Sequence, residues 1–332
     1  MAVHARARDL CLLTVLGAVL LWSCTTQQPW WRTPAEALAA AGSLAALAGT
    51  VLLLESVWLT SRFPRWERVV GLGELLRWHR RLASAGLALI TAHVVLTVAG
   101  HARREGRPVL PETWNIVVGW PDMLAAAVGL TLLWLVAATS VRIARRRMAY
   151  EIWLAVHLYT YLALGLSLLH QLSSGAAFGA EAWQRTVAGT IFGPQSRDHA
   201  AQVLRWLWLG VYAVALLSVL WYRLTLPLLR SLRFDLRVAS VRPIEGGAVN
   251  VALSGRKLHK LKVAGGQFAN FRFARRGLFW QAHPYSFAGL PDRSRVYLTV
   301  GGDGDYARAV AELPPGTRVF FEGPYGNLTA RA

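Results

Sequence analysis

The runs Trp78–His93, WHRRLASAGLALITAH, and His157–His170, HLYTYLALGLSLLH, decide the fold. His79 and His93 lie fourteen residues apart in the first, and His157 and His170 thirteen apart in the second. On helices rising ~1.5 Å per residue, either spacing is roughly 20 Å. Two such helices side by side present two facing pairs, one near each face of an apolar layer about 30 Å thick. The pairing is His79 with His157 and His93 with His170.

A single intramembrane histidine reads as a hydrogen-bonded core residue or a proton relay. Four in two matched pairs read as ligands. Iron gripped by imidazoles from two helices is the axial arrangement of an electron-transferring b-type haem. Fourteen residues return to within ~40° of the starting helix face, but thirteen land about 140° away. Tilt, or a distortion near Gly165, is therefore expected in the second helix.

The chain has 332 residues, is 54% hydrophobic and contains fifteen tryptophans, with a mean hydropathy of +0.34. This is a membrane-protein composition with room for a bundle and one small domain. The net charge of +18 is almost all arginine, since the only lysines are Lys257, Lys260 and Lys262. Because the arginines cluster between apolar runs, they read as a positive-inside signature and not as a nucleic-acid footprint. Cys11 and Cys24, about 20 Å apart on a helix, exclude a disulfide, and there is no cysteine set for an iron–sulfur cluster.

Six spans are expected: Leu10–Cys24, then about 35–60, 79–100, 121–141, 150–171 and 202–224. The first resembles a signal peptide, but the bulky Trp22 argues against cleavage and for a retained span. Arg62, Arg65, Arg68, Arg77, Arg80 and Arg81 follow span two, Arg142 and Arg145–Arg147 span four, and Arg223, Arg230 and Arg233 span six. The other side carries only Arg32, Arg103, Arg104, Arg107, Arg185 and Arg197. Both termini are therefore expected in the cytoplasm, with His79 and His157 near the inner face. Arg80 and Arg81 are candidates for pairing with haem propionates. Trp30, Trp31, Trp114, Trp120 and Trp183 read as an outer aromatic belt.

From about Ser231 the pattern changes to short β-rich segments: Phe234–Val241, Ala248–Leu253, Gly266–Phe273, Pro284–Ala288, Val296–Val300 and Thr317–Glu322. A helix is expected from Asp305, as N-cap, to Leu313. Six short strands suggest a small antiparallel barrel. His283-Pro284-Tyr285-Ser286 offers a rigid turn, an aromatic face for a planar ring and a hydroxyl. Gly323-Pro324-Tyr325-Gly326 reads as a turn whose glycines let backbone N–H groups approach an anion.

These features together resemble the ferric reductase and NADPH oxidase superfamily. The histidine spacings carry most of the likeness, supported by Gly266-Gln267-Phe268, His283–Ser286, Gly304-Asp305-Tyr306 and Gly323–Gly326. Ala307 departs from the threonine common in the oxidases. The resemblance implies an all-α six-helix transmembrane bundle with two b-type haems over residues 1–230. A six-stranded antiparallel Greek-key FAD-binding barrel would occupy 231–332. It implies that Tyr285 and Ser286 contact the isoalloxazine, that His283 stands where a flavin-phosphate arginine often sits, and that Pro284, Gly323 and Gly326 shape the flavin site.

The implied function is membrane oxidoreduction, with electrons passing from cytoplasmic FAD through two haems to a small extracytoplasmic acceptor, ferric chelate or dioxygen. No Gly-rich strand–turn–helix for NAD(P)H is present. Use of that donor is expected to need a nucleotide domain beyond Ala332 or a separate reductase. The alternatives are a haem-b subunit feeding a partner enzyme, and a non-redox channel or scaffold.

Overall fold

A backbone in lipid has no water to bond, so long apolar runs close their hydrogen bonds internally as helices. The computed structural model describes residues 2–174, 184–193, 196–244, 247–289, 294–301 and 304–326. Its helical part begins with α1 (Ala2–Thr25), α2 (Pro34–Leu59), α3 (Pro64–Val70) and α4 (Leu72–Glu105). It continues with α5 (Val109–Gly119), α6 (Met123–Ser140), α7 (Arg142–Arg146), α8 (Tyr150–Ser174) and α9 (Val187–Phe192). A last helix runs through α10 (Arg197–Val219), a π-helical turn (Leu220–Thr225) and α11 (Leu226–Phe234).

Among the described residues, five helices are long and apolar enough to cross a membrane: α2, α4, α6, α8 and the Arg197–Phe234 helix. Only 17% of the most apolar stretch of α4 is buried, so its hydrophobic side chains face outward, as lipid requires. The sixth expected span is not confirmed among the described residues. The first run lies in α1, whose apolar part among described side chains, Leu13–Thr25, is shorter than the ~20 residues of a span. Its opening turns carry Arg6, Arg8 and Asp9.

Local chemistry explains two helix features. Thr33 and Glu36 form a capping box before α2: Thr33 Oγ1 accepts from Glu36 N at 3.2 Å, and Glu36 Oε2 accepts from Thr33 N at 3.1 Å. Pro34 takes the first helical position, where no N–H is needed. Pro227 cannot donate to the Arg223 carbonyl and its ring crowds that oxygen. The wider π turn just before it relieves the clash.

The chain packs as two units, Met1–Val57 with Trp78–Ala215, and Trp58–Arg77 with Leu216–Ala332. The second holds β1 (Leu236–Pro243), β2 (Val249–Ser254), β3 (Phe268–Phe273), β4 (His283–Ser286), β5 (Arg295–Val300), α12 (Asp305–Ala311) and β6 (Arg318–Tyr325). They form one antiparallel sheet in the order β4-β3-β6-β1-β2-β5. The expected closed barrel is not formed. Strand β4 has four residues and contains Pro284, which has no amide hydrogen to donate. Only the Phe287–Leu298 bridge links the chain beyond β4 to β5. The alternation seen in Phe268–Phe273 is realised, with Ala269, Phe271 and Phe273 fully buried. Phe271 stacks on Phe321 across the β3–β6 register, ring centres 6.2 Å apart. Helix α12 is capped by Gly304, not Asp305, which instead pairs with Arg308 in the first turn.

Asp235, in a left-handed conformation (φ 38°), joins α11 to β1. Its buried carboxylate meets Arg318 at 3.1 Å and Arg237 and Arg256 at 3.3 Å. Burial works against ionisation, but hydrogen bonds from Arg318 and Arg237 hold the carboxyl below its ordinary value. A lowered folded pKa stabilises the fold above the unfolded value of about 3.9, and that stability is lost as pH falls through the folded value. Asp235→Ala is expected to cost about 1–2 kcal/mol, less than a fully buried charge network because the arginines are half exposed. Thermal unfolding at pH 7 checks it, and an unchanged melting temperature would refute the role of this cluster.

Candidate functional site

The four histidines are carried by two helices of the first unit. His79 and His93 lie on α4, and His157 and His170 on α8. The imidazoles of His79 and His157 face each other with ring centres 6.2 Å apart. His93 lies within electrostatic reach of His170. Helix α8 runs unbroken through Gly165, so the distortion anticipated there is absent. His157 Nδ1 meets Ser140 Oγ at 3.3 Å, whereas the buried His170 Nδ1 has no hydrogen-bond partner among the described residues.

Helix α2 anchors the α4 pair, which sequence reasoning did not anticipate. His79 Nδ1 lies 2.9 Å from the Ser56 carbonyl oxygen, and His93 Nδ1 3.0 Å from that of Gly42. Gly42 and Ser56 are fourteen residues apart, the spacing of His79 and His93 on the antiparallel neighbour. A helical carbonyl has a second lone pair, which a ring reaches only where the helix surface is bare. A Cβ on Gly42 would stand 2.6 Å from Thr97 Oγ1 and 3.4 Å from the His93 carbonyl oxygen. With each tethered ring donating from Nδ1, Nε2 becomes the basic nitrogen, as in histidines that bind metals. Among the described residues no group of three or more His, Cys, Asp or Glu side chains gathers as a metal site.

In the second unit the expected flavin residues converge on the β4–β3–β6 side of the sheet. Tyr285 pairs with Ala269 and Ser286 with Phe268 across β3–β4. The His283 ring packs on Tyr306 at 3.8 Å and lies nearly parallel to Tyr285 at 6.3 Å. This joins His283–Ser286 to Gly304–Tyr306. Burial pushes the Tyr285 phenol up to about 12, so it stays a neutral donor at physiological pH. Gln267 Nε2 donates to the Gly326 carbonyl at 3.3 Å, bringing Gly266–Phe268 to the same edge.

The Gly323–Gly326 segment is not a turn after the strand; its first three residues end β6. Gly323 has φ 142°, and a Cβ there would lie 2.9 Å from that of Ala269. That glycine is required by strand packing, whatever else it contacts. Arg230 Nη1 donates to the Gly323 carbonyl at 2.5 Å. The Arg62 guanidinium lies 4.4 Å over the Tyr325 ring and pairs with buried Glu67 at 3.0 Å. Burial holds the Glu67 carboxyl above its ordinary value despite Arg62. Tyr325 donates to Glu322 at 2.6 Å, and its phenol is pushed up by burial and by that carboxylate. Arg80 and Arg81 are exposed and make no ion pair among the described residues.

Residues 16–168 match the family described as ferric reductase like transmembrane component, and residues 233–329 match an FAD-binding domain family. This succession of domains matches the architecture of the ferric reductase and NADPH oxidase superfamily. No curated protein matches it. Among solved structures, the flavohemoglobin of Malassezia yamatoensis, with bound FAD and heme, is 12% identical with a TM-score of 0.26. The match covers 90% of this chain and 65% of that one, and a likeness so distant says nothing of function. The paired domains are those of a membrane flavin oxidoreductase, with FAD the cofactor of the second.

Gly42→Leu is expected to force α2 away from α4 at an over-packing cost of about 1–3 kcal/mol. Gly17→Leu, where a Cβ meets nothing within 4 Å, is the control. Thermal unfolding in detergent should fall for the first and not the second. Equal melting temperatures would mean that the seam tolerates a side chain.

Proposed function

We propose that this chain is a transmembrane flavocytochrome, carrying electrons singly from cytoplasmic FAD across two b-type haems to a small extracytoplasmic acceptor, ferric chelate or dioxygen. The observation that carries the reading is the facing of His79 and His157, together with the Nδ1 contacts that orient His79, His93 and His157. Two protein donors suffice for a metal only if the other ligands arrive with it, as they do in a porphyrin. The ring centres of His79 and His157 stand 6.2 Å apart, and these two imidazoles would hold the inner group between them. The buried, unpartnered Nδ1 of His170 marks a polar atom whose surroundings are incomplete.

Haem supplies one-electron chemistry to a flavin that takes up electrons in pairs. The residues supply position. His79 with His157 would hold the inner group and His93 with His170 the outer, while Ser56, Gly42 and Ser140 fix ring orientation. Arg80 and Arg81, free of ion pairs beside His79, would receive propionates. Tyr285, Ser286 and His283, with Pro284 stiffening the strand, would hold the flavin ring and phosphate. Gly323 and Gly326 would close the site beside Arg62 and Tyr325. The arginine distribution supports six spans, counting α1, with both termini and the residue 231–332 domain in the cytoplasm. The electron donor is NAD(P)H, delivered through a nucleotide domain or a separate reductase. A haem-b subunit serving another enzyme is the weaker reading, because the FAD-binding domain would have no purpose there.

The purified chain should show a reducible b-type spectrum with two haems per polypeptide. His79→Ala or His157→Ala should remove the inner haem alone, and His93→Ala or His170→Ala the outer, with FAD content unchanged. One haem per chain, or full occupancy in all four variants, would sink the proposal. Stopped-flow oxidation of the dithionite-reduced protein by ferric citrate and by dioxygen, run in parallel, identifies the acceptor.

A further inference from the structure

The first unit contains a cavity of about 230 Å³ beside the α1–α2 turn, at the ends of α2 and α4 remote from Ser56 and His79. Arg32 comes from the turn, Arg104 from the last residues of α4 and Arg185 from the segment before α9. The turn and that segment are tied by the Gln27–Thr186 bridge and a hydrogen bond from Gln28 N to the Arg185 carbonyl. The cavity's one carboxylate, Glu36, is engaged in the α2 capping box. None of the three guanidiniums makes an ion pair among the described residues. The positive end of α2, a 26-residue helix, opens beside them, adding its dipole to the same field.

The walls are firm. Trp22 Nε1 donates to the Ala40 carbonyl at 2.8 Å and contacts Ser43 Oγ at 3.0 Å, fixing α1 against α2. Trp30 packs edge-on against Trp22, ring centres 5.8 Å apart. Three like charges around a single carboxylate already engaged in a helix cap are unfavourable unless an anion joins them, and arginine forks suit oxyanions such as carboxylate and phosphate. We propose that this cavity is a binding site for a small multi-oxygen anion, a polycarboxylate or a phosphate group, held by Arg32, Arg104 and Arg185 against the Trp22–Trp30 wall. Its α2 wall, Ala39, Ala40 and Ser43, belongs to the helical turn whose Gly42 carbonyl anchors His93. An anion bound there is one helix away from the outer histidine pair. The site does not depend on what those histidines hold.

The test uses the full chain in zwitterionic-lipid nanodiscs, with thermal unfolding followed against citrate, phosphate or chloride at constant ionic strength. Citrate or phosphate, but not chloride, should raise the melting temperature saturably. Arg104→Gln should weaken the apparent affinity about tenfold, the loss of one charge-assisted contact, and the triple variant with Arg32→Gln and Arg185→Gln should abolish the effect. Arg147→Gln, on the opposite side of the predicted membrane, should leave it unchanged. Nanodiscs containing anionic lipid separate the sources. A rise that is already present without citrate, needs the three arginines and is not increased by citrate assigns the site to a lipid headgroup; otherwise the ligand is a free anion. If the triple variant fails to fold, Arg104→Gln alone decides. No anion-dependent shift in either lipid, or a shift that survives these substitutions, overturns the proposal. Because the readout is unfolding and not haem content, its failure is distinct from failure of the flavocytochrome reading.

Discussion

The hydrogen bond from an imidazole Nδ1 to a backbone carbonyl of the neighbouring helix is the interaction on which the first unit turns. In lipid every backbone acceptor is already engaged within its own helix. Only the second lone pair of a carbonyl is available, and only where no side chain covers it. Gly42 and Ser56 provide two such places at the spacing of His93 and His79. Close packing of α2 on α4 and orientation of both rings through Nδ1 thus have one cause. Helix α8 has no such ruler, and its two histidines have correspondingly unlike surroundings.

The second unit shows the same economy in a sheet. The strand order β4-β3-β6 brings together segments from across the last hundred residues: Gly266–Phe268, His283–Ser286 and Gly323–Gly326. A ring contact between His283 and Tyr306 then adds the helix that begins at Asp305. Strand pairing does the gathering and side-chain chemistry the selection. The Trp58–Arg77 segment belongs to this unit and not to the bundle from which its neighbours in sequence come. Its Arg62 lies over Tyr325, so an arginine that sequence statistics assign to membrane topology also packs on the end of β6.

Much of this was legible in the sequence. Apolar runs and matched histidine spacings identify helices, partners and ligand candidates, because both depend on the helical repeat alone. Alternation in Phe268–Phe273 identifies a half-buried strand for the same reason, a period of two. The existence of six strands and of α12 follows from local pattern. Charge asymmetry between loops gives only an expected orientation, since no membrane is part of the structure.

What only tertiary structure decided depends on where elements end and what lies across from them. The open sheet, against the expected barrel, follows from the short β4 with Pro284. The place of Gly323 in a strand follows from its approach to Ala269, which no turn rule reports. The α2 carbonyls behind His79 and His93 are backbone atoms, invisible to residue type except through the smallness of Gly42 and Ser56. The Arg32, Arg104 and Arg185 cluster joins residues up to 153 positions apart, which only folding brings together. Periodicity is a one-chain property that sequence determines, whereas the partner across an interface is set by packing, which sequence encodes only collectively.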